Sequence, residues 1–149
     1  MKLAVEQFKE TAGRSEGDSN LELRVDGSTP EKGWHVEVYD VHLIDVIQRL
    51  LNNAIKFGGP DNAVTVSIGE DGDALIIAIR DRGPGLDSKA LDAICQMFLQ
   101  IDRETFEQQG AGLGLCIASH LTKTNGGMLY FRHPGEGTGL VAEIHLPLL

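Results

Sequence analysis

The spacing of apolar residues along the chain predicts four helices and six strands. Apolar residues recur every three or four positions in the helical segments, whereas most strand segments alternate between apolar and polar residues. The predicted helices span residues 3–12, 40–57, 88–98 and 113–124. The predicted strands span residues 21–25, 34–38, 64–68, 74–80, 128–132 and 140–146. This order of elements predicts an α+β fold in which helices cover one sheet.

Two of these segments have distinctive patterns. The longest helix is predicted to start with Asp40 as its N-cap and to end at Phe57, before a Gly-Gly-Pro sequence. One face of this helix is apolar, the opposite face is polar, and Asn53 lies at the border between them. Residues 74–80 are apolar almost throughout, which predicts a central strand covered on both sides.

Length and charge limit the possible partners. The chain has 149 residues, which suits a single domain over residues 1–149, and a net charge of −9. Such an acidic surface repels nucleic acids and anionic membranes, so an anionic ligand needs a local site. Cys95 and Cys116 lack metal or redox spacing and are predicted to be buried free thiols. There is no apolar run of about 18 residues, so we expect a soluble cytoplasmic domain.

Two short clusters carry polar groups suited to a ligand. Asn53 and Lys56 lie three residues apart near a helix end, where an amide oxygen suits Mg²⁺ and an ammonium suits phosphate. Asp81 follows the apolar strand and could accept a hydrogen bond from an exocyclic amine such as that of adenine. Gly83 and Gly85 would let the backbone pass close to a flat ring. A solvated helix face and a glycine-rich turn are the alternative interpretations.

Two glycine-rich clusters follow. Residues 110–115, Gly-Ala-Gly-Leu-Gly-Leu, open a predicted helix whose free N–H groups form an anion site. A P-loop is excluded because Leu115 and Cys116 follow the last glycine, and a dinucleotide fingerprint because the preceding residues 106–109 are polar. Residues 137–139, Gly-Thr-Gly, could be only a hairpin turn. Each cluster alone is a weak signal.

Together, the four clusters resemble the N, G1, G2 and G3 boxes of the GHKL ATP-binding fold of DNA gyrase, mismatch-repair ATPases, the large heat-shock chaperone and sensor histidine kinases. Residues 94–98 resemble the F box of histidine kinases, although Cys95 replaces the usual aromatic residue. The resemblance extends over nearly the whole chain. It implies the catalytic, ATP-binding domain of a histidine kinase. The implied fold is a two-layer sandwich with a mixed, mainly antiparallel sheet under about three helices.

The resemblance also implies ATP and Mg²⁺ as cofactors and a role for each site residue. Asp81 would bind the adenine amino group, with Thr138 supporting it through water. Asn53 would hold Mg²⁺ and Lys56 would face the phosphates, and these two residues are the implied catalytic pair. Residues 99–111 would form a flexible lid over ATP. The other implied nucleotide contacts are Gly83, Gly85, Leu86, Phe98, Gly110, Gly112, Leu113, Gly114 and Leu115.

One position departs from the family pattern. Four residues before Asn53, histidine kinases usually carry a second amide that helps to hold the metal, and the hydrolysing relatives carry a glutamate general base. Arg49 occupies this position. It can neither deprotonate water at neutral pH nor ligate Mg²⁺, which argues against a gyrase-like or chaperone-like ATPase. Arg49 could contact phosphate directly or point into solvent.

The resemblance implies a function that needs a partner. None of the five histidines is followed by Asp or Glu, and only about 20 residues precede the first predicted strand, too few for a phospho-acceptor hairpin. The chain is therefore not expected to phosphorylate itself. It would donate the γ-phosphate of Mg-ATP to a histidine on a dimerisation/phosphotransfer domain, in the same parent chain or in trans, and so serve a response regulator. The parent protein could still be anchored in a membrane.

Two alternative functions stay open. A nucleotide-binding regulatory module without phosphotransfer is favoured by Arg49. An anti-sigma-type serine kinase of the same fold usually has a glutamate in place of Arg49 and lacks a clear F box, so it ranks last.

Overall fold

A five-stranded sheet forms the centre of the computed structural model, which describes residues 20–25, 33–58, 63–100 and 113–149. Its strands lie in the order β1-β2-β3-β5-β4; β1 pairs with β2 in parallel and the other pairs are antiparallel. The strands are β1 (Asn20–Val25), β2 (Ala63–Asp71), β3 (Ala74–Arg80), β4 (Met128–Arg132) and β5 (Val141–Pro147). The described helices are α1 (Asp40–Phe57), α2 (Ser88–Gln100) and α3 (Leu113–Thr124). The predicted α+β fold with a mixed, mainly antiparallel sheet and three helices is confirmed.

The core lies between one face of the sheet and helices α1 and α3. The buried positions of β3 are Leu75, Ile77 and Ile79, each at most 2% exposed. The intervening residues of β3, Ile76 and Ala78, are only half-buried in the described structure. Thus β3 is central, as predicted, but the expectation that both of its faces are covered is wrong for the described residues.

Helix α1 is placed by its apolar stripe and by the backbone at its start. Its buried residues are Leu43, Val46, Ile47, Leu50, Leu51 and Ala54. The N-cap is Tyr39, whose carbonyl oxygen accepts hydrogen bonds from the N–H groups of His42 and Leu43 at 3.0 and 3.1 Å. The predicted N-cap, Asp40, is instead the first helical residue. There its negative charge still interacts favourably with the positive end of the helix dipole. The predicted end at Phe57 is confirmed.

Residues 33–39 precede α1 without regular secondary structure, so the strand predicted at 34–38 is wrong. The alternation has another cause. Trp34, Val36 and Val38 pack against the core while His35 and Glu37 are exposed, so an extended segment half-buries alternate residues without being a strand of the described sheet.

Other boundaries shift slightly. The last strand runs one residue later than predicted, and α2 continues two residues past its predicted end at 98. The helix predicted at 3–12 lies outside the described residues. Among the helices that the structure describes, none combines the length and apolarity needed to cross a bilayer.

Candidate functional site

A cavity of about 330 Å³ opens between α1, the sheet and the loop that follows β3. Its floor is a row of three cross-strand neighbours, Ile79 on β3, Ala142 on β5 and Phe131 on β4. The other lining residues are Leu50, Asn53, Ala54, Phe57, Asp81, Pro84, Gly85, Leu86, Ile94, Leu115 and Leu140. Most of these are apolar, and the polar side chains among them are Asn53 and Asp81. An apolar cavity of this size with few polar groups suits a flat organic ligand.

Asp81 is the acidic group of this cavity and is only 7% exposed. It directly follows β3, and its backbone N–H donates to the carbonyl oxygen of Leu140 at 3.1 Å. The side-chain oxygen Oδ1 accepts hydrogen bonds from the N–H groups of Gly83 at 2.9 Å and Leu140 at 3.2 Å. Both of these bonds go to Oδ1, so they fix the carboxylate in place and leave Oδ2 as an acceptor for a ligand.

Three glycines pack the loop after β3 against its surroundings. A Cβ on Gly83 would overlap the carbonyl oxygen of Phe57, and one on Gly85, at φ +73°, would lie 2.7 Å from the carbonyl oxygen of Gly139. Gly139 has φ +114°, and a Cβ there would overlap the carbonyl oxygen of Asp81. Gly85 lines the cavity as predicted. Gly83 is not among the residues that line the cavity; its backbone lies against the C-terminus of α1, where a Cβ would not fit.

The structure brings part of the predicted site together. Five predicted residues line the cavity, namely Asn53, Asp81, Gly85, Leu86 and Leu115. Lys56 lies outside the lining on the exposed end of α1, with Nζ 5.2 Å from the ring centroid of Phe57. Thr138 is exposed in the loop before β5 and also lies outside the lining.

The third predicted cluster is described only in part. Leu113 and Gly114 form the first turn of α3, and Phe98 belongs to α2. Gly110 and Gly112 lie outside the described residues, as does the predicted lid except for its first two residues, 99 and 100, which belong to α2.

Arg49 lies on α1 one turn before Asn53 and is held by a neighbouring carboxylate. Its Nε donates to Oδ2 of Asp45 at 2.9 Å, and the two side chains are 32% and 37% exposed. Its Nη1 lies 4.0 Å from the position that a Cβ on Gly114 would take. The guanidinium therefore lies beside the first turn of α3 and does not extend freely into solvent.

Sequence reasoning missed the floor and part of the wall of the cavity. Phe131, Ala142 and Ile79 are buried strand residues, and in the sequence they look like any other core position. Phe57 is 61% exposed although it lines the cavity, and an aromatic residue that ends a predicted helix beside Lys56 is the one signal that could have indicated it.

Comparison with known proteins decides the family. Residues 38–149 match the model of the histidine kinase-, DNA gyrase B- and HSP90-like ATPases. The chain belongs to this ATPase family. The predicted resemblance to the GHKL ATP-binding fold is thereby confirmed, and the matched residues include the cavity.

Several relatives of this ATPase domain are histidine kinases. It is 29% identical over 121 residues to the sensor histidine kinase WalK of Bacillus subtilis, covering 79% of this chain and 20% of WalK. The chain spans about a fifth of the length of the first curated relatives that it matches. The mycobacterial sensor histidine kinase MprB has the same fold, with a TM-score of 0.69, 24% identity, and coverage of 99% of this chain and 91% of that structure.

A further solved structure shares both fold and sequence with the ATPase domain. Full-length ShkA in complex with AMPPNP has a TM-score of 0.66 and 26% identity, over 99% of this chain and 29% of ShkA. The ATPase domain therefore has the architecture of histidine kinase catalytic domains, and its family supports ATP binding and a kinase role.

Proposed function

We propose that this ATPase domain holds the adenine of ATP in the cavity and donates the γ-phosphate to a histidine on a separate dimerisation/phosphotransfer domain. The observation that carries the proposal is the buried Asp81 carboxylate, fixed through Oδ1 at the edge of an apolar cavity. Its relative ShkA was solved with AMPPNP, an ATP analogue. The domain would serve a response regulator in two-component signalling from the cytoplasm, with or without a membrane anchor elsewhere in the parent protein.

Adenine fits the chemistry of the cavity better than guanine does. Its ring faces are apolar and would pack over Ile79, Ala142 and Phe131, and its exocyclic amine would donate to Oδ2 of Asp81. A hydrogen bond to a charged acceptor contributes about 1.5–3 kcal/mol. Guanine carries an oxygen in place of that amine, so it would set two acceptors against each other. The site should therefore select adenine nucleotides.

The residues that would lie near the phosphates of ATP suit a metal ion that arrives with the nucleotide. Asn53 is half-buried in the cavity lining and offers one neutral oxygen. Within the described ranges, no cluster of three or more His, Cys, Asp or Glu side chains could hold a metal by itself. Mg²⁺ usually takes few protein ligands and completes its shell with phosphate oxygens and waters. Asn53 would hold it, and the ion would neutralise charge on the phosphates.

The remaining predicted residues would act around the triphosphate. Lys56 lies at the same end of α1 as Asn53, and we propose that its ammonium faces the phosphates as the second catalytic residue. Gly114 and Leu115 are on the first turn of α3, where unpaired N–H groups favour an anion. The predicted roles of Phe98, Gly110, Gly112, Leu113, Thr138 and the lid belong to the same proposal.

The position of Arg49 favours phosphotransfer over hydrolysis. A guanidinium cannot act as general base for water, and Asp45, the nearest preceding acid on α1, is paired with it. In the transfer, a histidine nitrogen of the partner would attack the γ-phosphorus, and the bond to the bridging oxygen would break to release ADP. The domain would bind, orient and shield the phosphates. We propose that it does not phosphorylate itself, since none of its five histidines precedes an acidic residue.

A second candidate function is a regulatory module that binds adenine nucleotide without transferring phosphate. Arg49 favours it, because a cation beside Asn53 replaces the oxygen ligand that would complete a metal site. Transfer and regulation share the same binding step and differ only in whether phosphate reaches a partner.

Calorimetric titration tests the binding step. ATP, ADP and adenosine should bind and GTP should bind at least tenfold more weakly. Asp81→Asn should lower the affinity for ATP about tenfold to a hundredfold while keeping its Oδ1 bonds. Asp87→Asn is the matched control, because Asp87 is exposed and, within the described ranges, its Oδ1 accepts a local hydrogen bond from the Ala90 N–H alone. Unchanged binding by Asp81→Asn would refute the assignment of the base acceptor.

Mixing the domain with Mg-ATP and a separately made histidine hairpin domain tests the transfer step. Acid-labile, base-stable phosphate on the hairpin supports the kinase. Nucleotide binding without transfer to any cognate hairpin supports the regulatory module.

A further inference from the structure

Arg49 and the start of α3 are neighbouring groups of the same sign, since Nη1 of Arg49 lies 4.0 Å from the position that a Cβ on Gly114 would take. Arg49 carries a full positive charge, and the first turn of a helix carries a partial one on N–H groups that have no partner within the helix. Nη1 of Arg49 lies beside Gly114, the second residue of the twelve-residue α3. Two positive groups held this close repel each other unless an anion lies between them.

Asp45 offsets this repulsion only in part. Its Oδ2 accepts a hydrogen bond from Nε, on the inner edge of the guanidinium. In the part of the chain that the structure describes, this is the hydrogen bond that Arg49 makes, and it leaves the two terminal nitrogens as donors. The pairing fixes the direction of the side chain along α1, so the terminal nitrogens are presented to a ligand at little further entropic cost.

The guanidinium also adjoins the cavity. Asn53, one turn further along α1, lines the cavity, and so does Leu115, the residue after Gly114 on α3. A ligand with a flat apolar part in the cavity and an anionic part that leaves it between α1 and α3 would bring the anion to Arg49. Among ligands of adenine type, this describes a nucleoside polyphosphate.

We propose that Arg49 binds the phosphate chain of the nucleotide directly and supplies part of the counter-charge that Mg²⁺ would otherwise supply. This inference rests on the proposed nucleotide site and adds a specificity-determining residue to it. Guanidinium and phosphate match in geometry, since two parallel N–H groups can bond two phosphate oxygens. The site should therefore keep much of its affinity for ATP when no divalent cation is present.

Titration of the whole domain with ATP, in excess Mg²⁺ and in excess EDTA, tests the inference. For the wild type we expect affinities that differ by less than about tenfold between the two conditions. Arg49→Asn should weaken ATP binding in EDTA by about tenfold to a hundredfold, the effect expected from a lost charge-assisted hydrogen bond. With Mg²⁺ it should bind better than it does in EDTA, because the new amide adds an oxygen ligand. Adenosine, which has no phosphate, should bind the variant and the wild type equally.

Asp45→Asn is the matched control. It removes the carboxylate of the pair but keeps both the guanidinium and an oxygen that accepts from Nε, so ATP binding in EDTA should change by less than about threefold. Thermal unfolding of both variants checks that the partly exposed pair is not needed for folding.

The outcomes separate the two proposals. Equal affinity of Arg49→Asn and wild type for ATP in EDTA overturns the role of Arg49, and so does an equal loss in Asp45→Asn or a parallel loss of adenosine binding. Absence of any adenine nucleotide binding by the wild type overturns the proposed function and this inference with it. Wild-type binding that Asp81→Asn weakens as expected, with no effect of Arg49→Asn, leaves the proposed function standing and refutes the inference alone.

Discussion

Gly139 approaches Asp81 so closely that a Cβ on Gly139 would overlap the carbonyl oxygen of Asp81. The neighbouring Leu140 N–H donates to Oδ1 of the same aspartate at 3.2 Å. The loop before β5 therefore packs backbone to backbone against the loop after β3, and this contact places one of the two donors that orient the Asp81 carboxylate. The position of the proposed base acceptor depends on the absence of a side chain at Gly139.

Gly139→Ala should accordingly destabilise the domain and weaken nucleotide binding. The methyl group would force the two loops apart, and φ +114° is strained for any residue with a Cβ. We expect a loss of about 2 kcal/mol or more in the free energy of unfolding, measured by urea denaturation, and at least a tenfold weaker affinity for ATP by titration calorimetry.

Gly72→Ala is the control for the backbone strain alone. Gly72 also has a positive φ, +57°, but nothing lies within 4 Å of the position of its Cβ. We expect a loss of about 1–2 kcal/mol in stability and unchanged ATP affinity. Wild-type ATP affinity in Gly139→Ala, with a stability loss no larger than that of Gly72→Ala, would show that the loop contact is not needed.

The floor of the cavity offers a second test. Ala142 is the middle of the three floor residues, between Ile79 and Phe131, and its small side chain leaves the space above it open. Ala142→Leu should extend into this space and not into a packed region, so stability should change by less than about 1.5 kcal/mol. ATP affinity should fall at least tenfold, because the added side chain takes the place of the adenine ring.

Ala78→Leu is the matched substitution on the opposite face of the sheet. Ala78 lies on β3 next to Ile79, is half-buried, and pairs with Glu143 rather than with a floor residue. It should leave ATP affinity unchanged in the same titration. If both variants bind ATP as tightly as the wild type does, the adenine does not lie over the floor.

The helices and most strands could be predicted because their pattern of apolar residues directly reflects which side chains are buried. The segment at 34–38 shows the limit of this reasoning. Trp34, Val36 and Val38 alternate because they pack against the core one after another, and alternation cannot tell such a segment from a strand with hydrogen-bonded neighbours. Likewise, the apolar sequence of β3 predicted its central place, but not that Ile76 and Ala78 stay half-buried.

The candidate site divides in a similar way. Asp81 and Gly85 could be predicted from the sequence. An acid directly after an apolar strand is unusual, and so are the glycines in the loop that follows it. Phe131 and Ala142 could not, because only the register of β4 and β5 brings them beneath the cavity. Gly83 could also be predicted as a position without a side chain, but only the structure shows that its close neighbour is the carbonyl oxygen of Phe57; its place beside the base stays a prediction.

Asn125 joins the two helices that cover the sheet, and removing its amide should weaken the fold. Its Oδ1 accepts from the Tyr39 N–H at 2.7 Å, and its Nδ2 donates to the carbonyl oxygen of Leu121 at 2.6 Å and lies 3.2 Å from Nδ1 of His42. Asn125→Ala leaves these groups without that partner, so we expect a loss of about 1–3 kcal/mol in the free energy of unfolding by urea denaturation.

Thr124→Ala provides the comparison for Asn125. Among the residues that the structure describes, the Thr124 hydroxyl donates to the carbonyl oxygen of His120, within the same helix and at the exposed surface. Its loss should change stability by no more than about 0.5 kcal/mol. Equal effects of the two substitutions would mean that the link between α1 and α3 through Asn125 contributes nothing.

The half-buried Cys116 thiol on α3 should react more slowly near neutral pH than a fully exposed thiol. Desolvation raises the pKa of Cys116 above the ordinary value of 9.0, although a backbone hydrogen bond opposes the shift. Since only the thiolate is alkylated, iodoacetamide at pH 8 should modify Cys116 several-fold more slowly in the native domain than in the urea-unfolded chain, as followed by site-resolved mass spectrometry.

The raised pKa of Cys116 also makes stability depend on pH. The unfolded chain ionises this thiol first, so the contribution of the protonated thiol to stability is complete below about pH 9 and is lost as the pH rises through the native pKa. Cys116→Ala should remove the part of the stability loss above pH 9 that comes from ionisation of this thiol. Equal alkylation rates of the native and unfolded chains at pH 8 would show that the native thiol is not desolvated.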